Sequence, residues 1–577
     1  MRAASGAAAT IPSVARRRLS ADARTGVFLA LIAFLVYASG LRWGLPHATG
    51  PDRVDSWGVD DETPLGPLAE IHNILDPKPD RNLGYPLLYS FTVAAAYAPY
   101  MGYLWATGGL AAPAATYPYG LRDPRTSLRM LALIAHLVTT IMAVVVVLGV
   151  YDAARVAWGR RTGVVAALFA MTALPMFYYA RTGNVDVPML CFTALACAAF
   201  ARLVMRRHTT RRAVAIGVFA GLALATKEAA LGAFLGIPFV VLAIFRREHP
   251  GLAATSWAFW KPHLLALVAS FVALGAGSGL FVEPGRYIAH LRFITGRVDV
   301  IAGAELAGVR TFAFTAGDNL QYFRALVVDL ASILNAGGLV LALAGVAVAV
   351  VRRERAALLA LPAVTYLLWV FFLLRASQVR YVLPAAILLA GFAAYALLRA
   401  WESRWPALRY SAAATGACVL LVQLLRGADL TYQMINDSRF AAAEWIGRNA
   451  RSGDRLEYFG PSRKLPPLAP SVVTGQAAAY FGMYVPADVG EAKVQEILDG
   501  WRERRARFVI AVPDHTSRPG VPHSHTFPPA LFADMLEGRR GLRLVAYFRT
   551  PPLFPWLPAP RIDYPTANPP IHLFEGR

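Results

Sequence analysis

With 577 residues, 56% of them hydrophobic and only 16% charged, and a mean hydropathy of +0.44, the chain is too apolar for an ordinary soluble enzyme. Its 57 Lys and Arg against 36 Asp and Glu leave a net charge of +21, but the positive residues sit in short connections between apolar runs, so the positive-inside rule explains them without nucleic acid. Cys191, Cys197 and Cys418 all fall in apolar runs and imply neither a disulfide framework nor a thiolate metal site.

Residues 1–25 form a basic start with Arg16, Arg17, Arg18 and Arg24. Apolar runs long enough to cross roughly 30 Å of hydrocarbon begin near Gly26, Leu128, Gly163, Val187, Ala213, Leu231, His263, Leu326, Ala356, Tyr381 and Ser411. Lipid offers no partner to backbone groups, so these runs must be helical, which predicts an all-α polytopic bundle of about 11 transmembrane helices with added juxtamembrane helices. The first run also has the layout of a cleaved signal peptide, with small residues near Ala38; the next loop lies outside in either case.

Residues 86–105 contain Pro86 and Pro99, are rich in Ala and Tyr, and read as an interfacial helix that does not cross. The basic connections at Arg155–Arg161, Arg206–Arg212, Arg246–Lys261, Arg352–Arg355 and Arg399–Arg409 then all fall on the N-terminal, cytoplasmic side. The first loop, 41–127, and the C-terminus come out extracytoplasmic. This describes a multi-pass plasma (inner) membrane protein with a transmembrane domain at 26–425 and a tail at 426–577. In that tail, 438–450 and 491–505 read as helices and 455–459, 508–512, 542–548 and 571–574 as strands, which predicts a small extracytoplasmic α/β domain.

Chemistry is concentrated at the outer side. Asp60, Asp61 and Glu62 adjoin one another between Trp57 and Pro64, and three adjacent carboxylates raise at least one pKa if the loop packs on the bundle; a solvated acidic turn is the alternative. Arg181, Lys227, Arg375 and Arg380 lie at outer ends of spans, where a cation faces a water-filled cavity or snorkels to headgroups. Carboxylates opposite cations in an outward cavity suit transfer from a lipid-borne phosphate donor. The cations hold the phosphate as its charge grows, and one carboxylate takes the acceptor's proton. A lipid phosphate leaves without a general acid, unlike the leaving group of a glycosidase. The acidic triplet can also hold a divalent metal with that phosphate.

The acidic pair Asp61–Glu62, YPLLYS at 85–90, the long run from Arg129 to Gly163, YYARTGNVDVP around Arg181, GLALATKEAAL around Lys227 and RYVLP at 380–384 occur in one order along the first 400 or so residues. In that order the chain resembles the membrane glycosyltransferases that use polyprenyl-phosphate sugars (GT-C fold), in the protein O-mannosyltransferase and aminoarabinose-transferase branch. The resemblance implies an inverting transfer of a monosaccharide, mannose or similar, to a hydroxyl of a lipid, glycan or protein acceptor outside the membrane. It carries the base role onto Asp61, with Asp60 and Glu62 as neighbours, and phosphate holding onto Lys227 and Arg181; Arg375 and Arg380 join them from topology.

The chain departs from the family in its single Pro86, where a double proline is usual, and in its extra Asp60. A transporter or flippase would need broken helices or polar residues near mid-membrane, which are scarce. An envelope assembly protein would use the tail as its surface. The outward loop at 281–324, with Glu283, Asp299, Glu305 and Asp318, shapes a pocket or forms a solvated lid. His515, His523 and His525 read as a surface loop rather than a metal site, His136 as a helix–helix hydrogen bond, and the tail lacks a GxGxxG nucleotide turn.

Overall fold

A computed structural model of the chain describes residues 20–61, 63–78, 83–301, 310–458, 462–476, 489–513, 527–557 and 567–576. The helices begin with α1 (Ala21–Ala38), α2 (Leu65–Leu75), α3 (Leu88–Ala106), α4 (Pro124–Trp158) and α5 (Arg160–Thr172). They continue with α6 (Met176–Tyr179), α7 (Asp186–Met205), α8 (Thr210–Thr226), α9 (Leu231–Phe234), α10 (Ile237–Glu248), α11 (Trp257–Ser278) and α12 (Pro284–Ile301). After a two-residue strand β1 (Arg310–Thr311) come α13 (Ala316–Val351), α14 (Leu361–Trp369), strand β2 (Ala376–Ser377), α15 (Val379–Trp401), α16 (Pro406–Ile435) and α17 (Ser438–Asn449).

Among the described residues, nine helical segments are long and apolar enough to cross a membrane. The runs expected at Gly163 and Ala213 are helical as well, but α5 has 13 residues and α8 has 17. At 1.5 Å per residue they reach about 20 and about 26 Å, short of a full hydrocarbon layer. Pro175 follows closely on the end of α5, and Lys227 caps α8 in an extended conformation. α3 is helical and does not reach the hydropathy of a span.

The bundle core joins α1, α4, α5, α7, α8, α13 and α15 through a continuous set of buried Ala, Val, Leu and aromatic side chains. Where helices touch most closely the residues are glycines. A Cβ on Gly217 would stand 2.1 Å from the Ala266 carbonyl oxygen, and one on Gly221 2.2 Å from that of Ser270, so this pair four residues apart lets α8 lie directly on α11. The 35-residue α4 is about 50 Å long and outreaches the hydrocarbon. Its first turns pack with α3 and the first loop around Tyr89, Val93, Tyr97, Leu128 and Leu131.

The tail holds a five-stranded sheet of β3 (Arg455–Tyr458), β4 (Val473–Gln476), β5 (Ala506–Ala511), β6 (Leu542–Phe548) and β7 (Ile571–Gly576), ordered β4-β3-β5-β7-β6. β4, β3 and β5 run parallel; β7 is antiparallel to both β5 and β6. Helices α18 (Glu491–Glu503) and α19 (Pro529–Leu536) enclose one apolar cluster, and α17 with residues 465–472 encloses another, so the strands are buried on two sides. The expected strands and helices of the tail are present. β4 and α19 are additions, each too short to show a period in sequence. His515, His523 and His525 lie outside the described residues.

Candidate active site

The first loop is folded tightly against both the bundle and the tail. Trp43 donates its indole N–H to Asp437 Oδ2 at 3.0 Å, and the Arg439 guanidinium, paired to the same Asp437, stacks 3.7 Å from the Trp57 ring centroid. Arg53 donates to the carbonyls of Ala469 (3.3 Å) and Val472 (2.9 Å) and to the Thr474 hydroxyl (3.2 Å). Three residues beyond Trp57, Asp60 adopts φ +52°, a left-handed conformation that Asp tolerates better than most residues, and the two successive carboxylates part company.

Asp61 turns inward. Its side chain is fully enclosed and accepts from the Thr63 hydroxyl (2.5 Å), the Thr63 N–H (3.2 Å) and the Gly183 N–H (2.8 Å), while its Oδ2 lies 3.0 Å from His136 Nε2. His136 Nδ1 faces the Leu41 carbonyl at 3.2 Å. Both ring nitrogens therefore meet oxygen acceptors. Burial alone would push the Asp61 carboxyl up. The His136 ring, the Thr63 hydroxyl and the Gly183 N–H outweigh it and hold the carboxyl below the usual carboxylate range. A Cβ on Gly183 would come 2.5 Å from Asp61 Oδ1, so only glycine lets the 181–185 turn approach this carboxylate.

Asp60 turns the other way, into a narrow cleft lined among others by Thr63, Glu70, Tyr85, Tyr89, Val185 and Arg286. Its carboxylate pairs with Arg380 Nη1 and accepts from the Tyr85 hydroxyl at 3.3 Å; a third of the side chain remains exposed. Burial favours the neutral acid, but Arg380, then Lys227 and Arg463, hold the Asp60 carboxyl below its ordinary value. Lys227 itself, at the end of α8, bonds Asp186 at 2.6 Å and lies 5.5 Å from the Tyr85 ring and 5.9 Å from the Tyr381 ring. One aromatic, Tyr85, thus touches both ion pairs.

Of the four cations expected, two meet at the carboxylates and two do not. Arg181 is wholly buried and donates to the Val36 carbonyl (3.2 Å) and the Thr431 hydroxyl (3.1 Å), tying α1 to α16. Arg375 donates to the carbonyls of Phe312 (3.1 Å), Phe371 (3.2 Å) and Ala313 and lies against Phe314, closing the β1–β2 ladder. The Arg375 guanidinium is occupied by backbone carbonyls, and that of Arg181 by a backbone carbonyl and the Thr431 hydroxyl. Glu62 lies outside the described residues. Among those described, no group of three His, Cys, Asp or Glu is placed to hold a metal ion.

The 281–324 segment is divided. α12 roofs the cavity, with Arg286 donating to the Tyr85 carbonyl (3.0 Å) and facing Glu70 (3.4 Å), and with His290 between the Leu83 carbonyl (2.6 Å) and Glu228 (3.5 Å). Asp318 instead accepts from the Ala313 N–H at the start of α13. Glu305 and the Asp299 side chain lie outside the described residues. Sequence reasoning gave no role to Asp186, Tyr85 or Tyr381, although each lies in a segment singled out above; nothing in one dimension says which residue of such a segment turns inward.

Residues 131–274 match the model of the dolichyl-phosphate-mannose-protein mannosyltransferase family. That stretch carries His136, Arg181, Asp186 and Lys227 but neither the first loop nor Arg380. Comparison with curated protein sequences gave no match. Among solved structures, the chain is similar to ArnT from Cupriavidus metallidurans bound to undecaprenyl phosphate, at 15% identity and a TM-score of 0.44 over 95% of this chain and 97% of that one. It is also similar to the Archaeoglobus fulgidus oligosaccharyltransferase in the apo form, at 12% identity and a TM-score of 0.43 over 85% and 70%. The arabinofuranosyltransferase AftD from Mycobacteria aligns at 15% identity and a TM-score of 0.38 over 96% of this chain and 40% of that one. Residues 131–274, about a quarter of the chain, thus resemble the dolichyl-phosphate-mannose-protein mannosyltransferase family, within a chain whose described residues hold nine helical segments long and apolar enough to cross a membrane.

Proposed function

We propose that the chain transfers a monosaccharide, mannose or similar, from a polyprenyl phosphate to an acceptor hydroxyl at the extracytoplasmic face of the plasma (inner) membrane, with inversion at the anomeric carbon. The acceptor is a lipid, a glycan or a protein. Residues 26–425 form the transferase domain, and residues 426–577 complete its outer rim. The observation that carries this reading is the meeting of Asp60 with Arg380, and of Lys227 with Asp186, on either side of Tyr85.

In this reading the donor phosphate binds to Lys227 and Arg380, drawing Arg380 off Asp60. The freed Asp60 carboxylate removes the proton from the acceptor hydroxyl, whose oxygen attacks the anomeric carbon as the sugar–phosphate bond breaks. The departing phosphate goes from one negative charge toward two. At an effective dielectric near 20, a cation about 4 Å away is worth about 4 kcal/mol to each added charge. Asp61 acts through position: with four hydrogen-bonding partners it has no free face toward the cavity, and it locks the Asp60 loop to the 181–185 turn.

The test is incubation of the full chain in lipid nanodiscs with a panel of radiolabelled polyprenyl-phosphate sugars and extracted envelope acceptors. A labelled product of inverted anomeric configuration is expected. A product that keeps the donor's configuration removes the single-displacement mechanism, and no transfer from any donor of the panel removes the function.

A further inference from the structure

The last turns of α16 are stapled to the tail by polar bonds. Asp429, a buried carboxylate in a largely apolar helix, accepts the Leu553 N–H at Oδ1 (2.5 Å) and Gln433 Nε2 at Oδ2 (2.9 Å). Asn568 Nδ2 donates to Gln433 Oε1 (3.2 Å) and to the Thr550 carbonyl (2.8 Å), and the Thr550 hydroxyl donates to the Asn436 carbonyl. A carboxylate at the end of a span is costly without such partners, so the same bonds that satisfy it fix the 550–553 backbone to α16.

The helix itself sets the height of this attachment. Arg409 lies in the first turn of α16, and the rise from Arg409 to Asp429 is about 30 Å, one hydrocarbon thickness, which puts Asp429 at the far edge of the layer. Seven and eleven residues back on the same helical face are Val422, half-buried, and Cys418, exposed. In a spanning helix an open face meets acyl chains. The loop bonded to Asp429 therefore overhangs lipid at the level of the headgroups.

What the loop presents there is apolar. Residues 551–557 read Pro-Pro-Leu-Phe-Pro-Trp-Leu and carry no charge. Three prolines fix the backbone and remove N–H donors, and the Leu557 N–H closes a turn on the Phe554 carbonyl at 3.0 Å. Leu553 is left 46% exposed and Trp556 70%, with the Phe554 and Trp556 ring centroids 6.0 Å apart. An indole with one apolar body and one N–H suits the boundary between acyl chains and headgroups.

We propose that residues 551–557 are an interfacial anchor: Leu553 and Trp556 enter the headgroup layer of the leaflet on the tail's side of the membrane and hold the α/β domain against the bilayer beside α16. The occupant is phospholipid, because the tip continues the lipid-facing strip of α16 that begins at Cys418. The domain is then held twice, by polar bonds to the first loop and by lipid at this tip. The anchor does not depend on the chemistry proposed above.

The test uses the full wild-type chain in nanodiscs, photolysed with phospholipids that carry a diazirine either next to the headgroup or at the chain end, with the adducts mapped by mass spectrometry. Residues 553–557 should take the shallow probe about threefold or more over the deep one, and the Cys418 peptide, about 16 Å further down α16, should take the deep one. Trp556→Cys in a Cys418→Ser background, labelled with a fluorophore, should be quenched by shallow spin-labelled lipid and shielded from aqueous iodide. Adducts at Cys418 but none at 553–557, or free quenching by iodide, refute the anchor. Crosslinks from 553–557 to a second copy of the chain replace lipid as the occupant and refute it as well. No lipid adduct at either place refutes both the lipid-facing strip and the anchor.

Discussion

Asp60 and Asp61 are consecutive residues whose carboxylates never share a partner: Asp60 pairs with Arg380 of α15, and Asp61 is bound by His136 of α4, by Thr63 and by the Gly183 N–H. The left-handed Asp60 backbone separates them and gives each acid a different set of partners.

Asp60→Asn should leave donor binding intact or slightly tightened, since Arg380 is released, and lower the transfer rate by about 10^2- to 10^4-fold. Single-turnover kinetics with saturating donor measures this. Full turnover in that variant would assign the proton to another group.

Asp61→Asn and His136→Phe should both slow transfer by disordering the loop. Their signature is a higher donor Kd together with a lower melting temperature, because each leaves a buried polar partner unmatched at about 1–3 kcal/mol. The double variant should cost little more than the worse single one, as expected of two groups acting as a unit. Additive losses in a thermal-shift series would show that the two act separately.

Lys227→Ala strands the Asp186 carboxylate, whose side chain is nearly enclosed. A loss of about 3–5 kcal/mol is expected, relieved in part when Asp186→Asn is added, whereas donor affinity stays low in both. Recovery of donor affinity by Asp186→Asn would take Lys227 out of the clamp.

Arg181→Met and Arg375→Gln should reduce stability by about 2–4 kcal/mol while donor affinity in the surviving folded protein is retained. Titrating lipid phosphate into each variant below its melting temperature decides the matter. A selective loss of phosphate binding would return either residue to the donor site.

Asp60 supplies the pH dependence. Its carboxyl is held below the ordinary value, so the folded protein keeps it ionised where a free carboxylate has begun to protonate. The stabilisation from this pair is present above the unfolded value of about 3.9 and is lost as pH falls through the lower folded value. Transfer measured as kcat/KM, which reports the free protein, should accordingly show no acid limb between about pH 5 and 7. A limb near pH 6 to 7 in kcat/KM would identify a different base.

The fold was largely legible because lipid and packing act on long stretches: twenty apolar residues in a row, or an alternating strand in the tail, declare themselves through composition alone. Residues such as Asp61, Lys227 and Arg380 were legible as charges near span ends. What the sequence could not separate was the cation facing the cavity from the cation used to staple helices, since Arg181 and Lys227 have similar surroundings in one dimension. Nor could it show that Asp60, not Asp61, faces the cavity, because that depends on one backbone dihedral. His136 read as a helix–helix contact; its actual partner, 75 residues earlier, lies in a loop.

The bond from Arg53 to the Val472 carbonyl joins residues 419 positions apart. During synthesis the first loop emerges with Trp43, Trp57 and both aspartates long before β4 exists to receive Arg53. The contacts of that loop with Asp437, Ala469 and Val472 therefore form only after the last quarter of the chain has been made. A nascent chain stalled before residue 437 would carry most of its apolar helices and still hold an unfinished first loop.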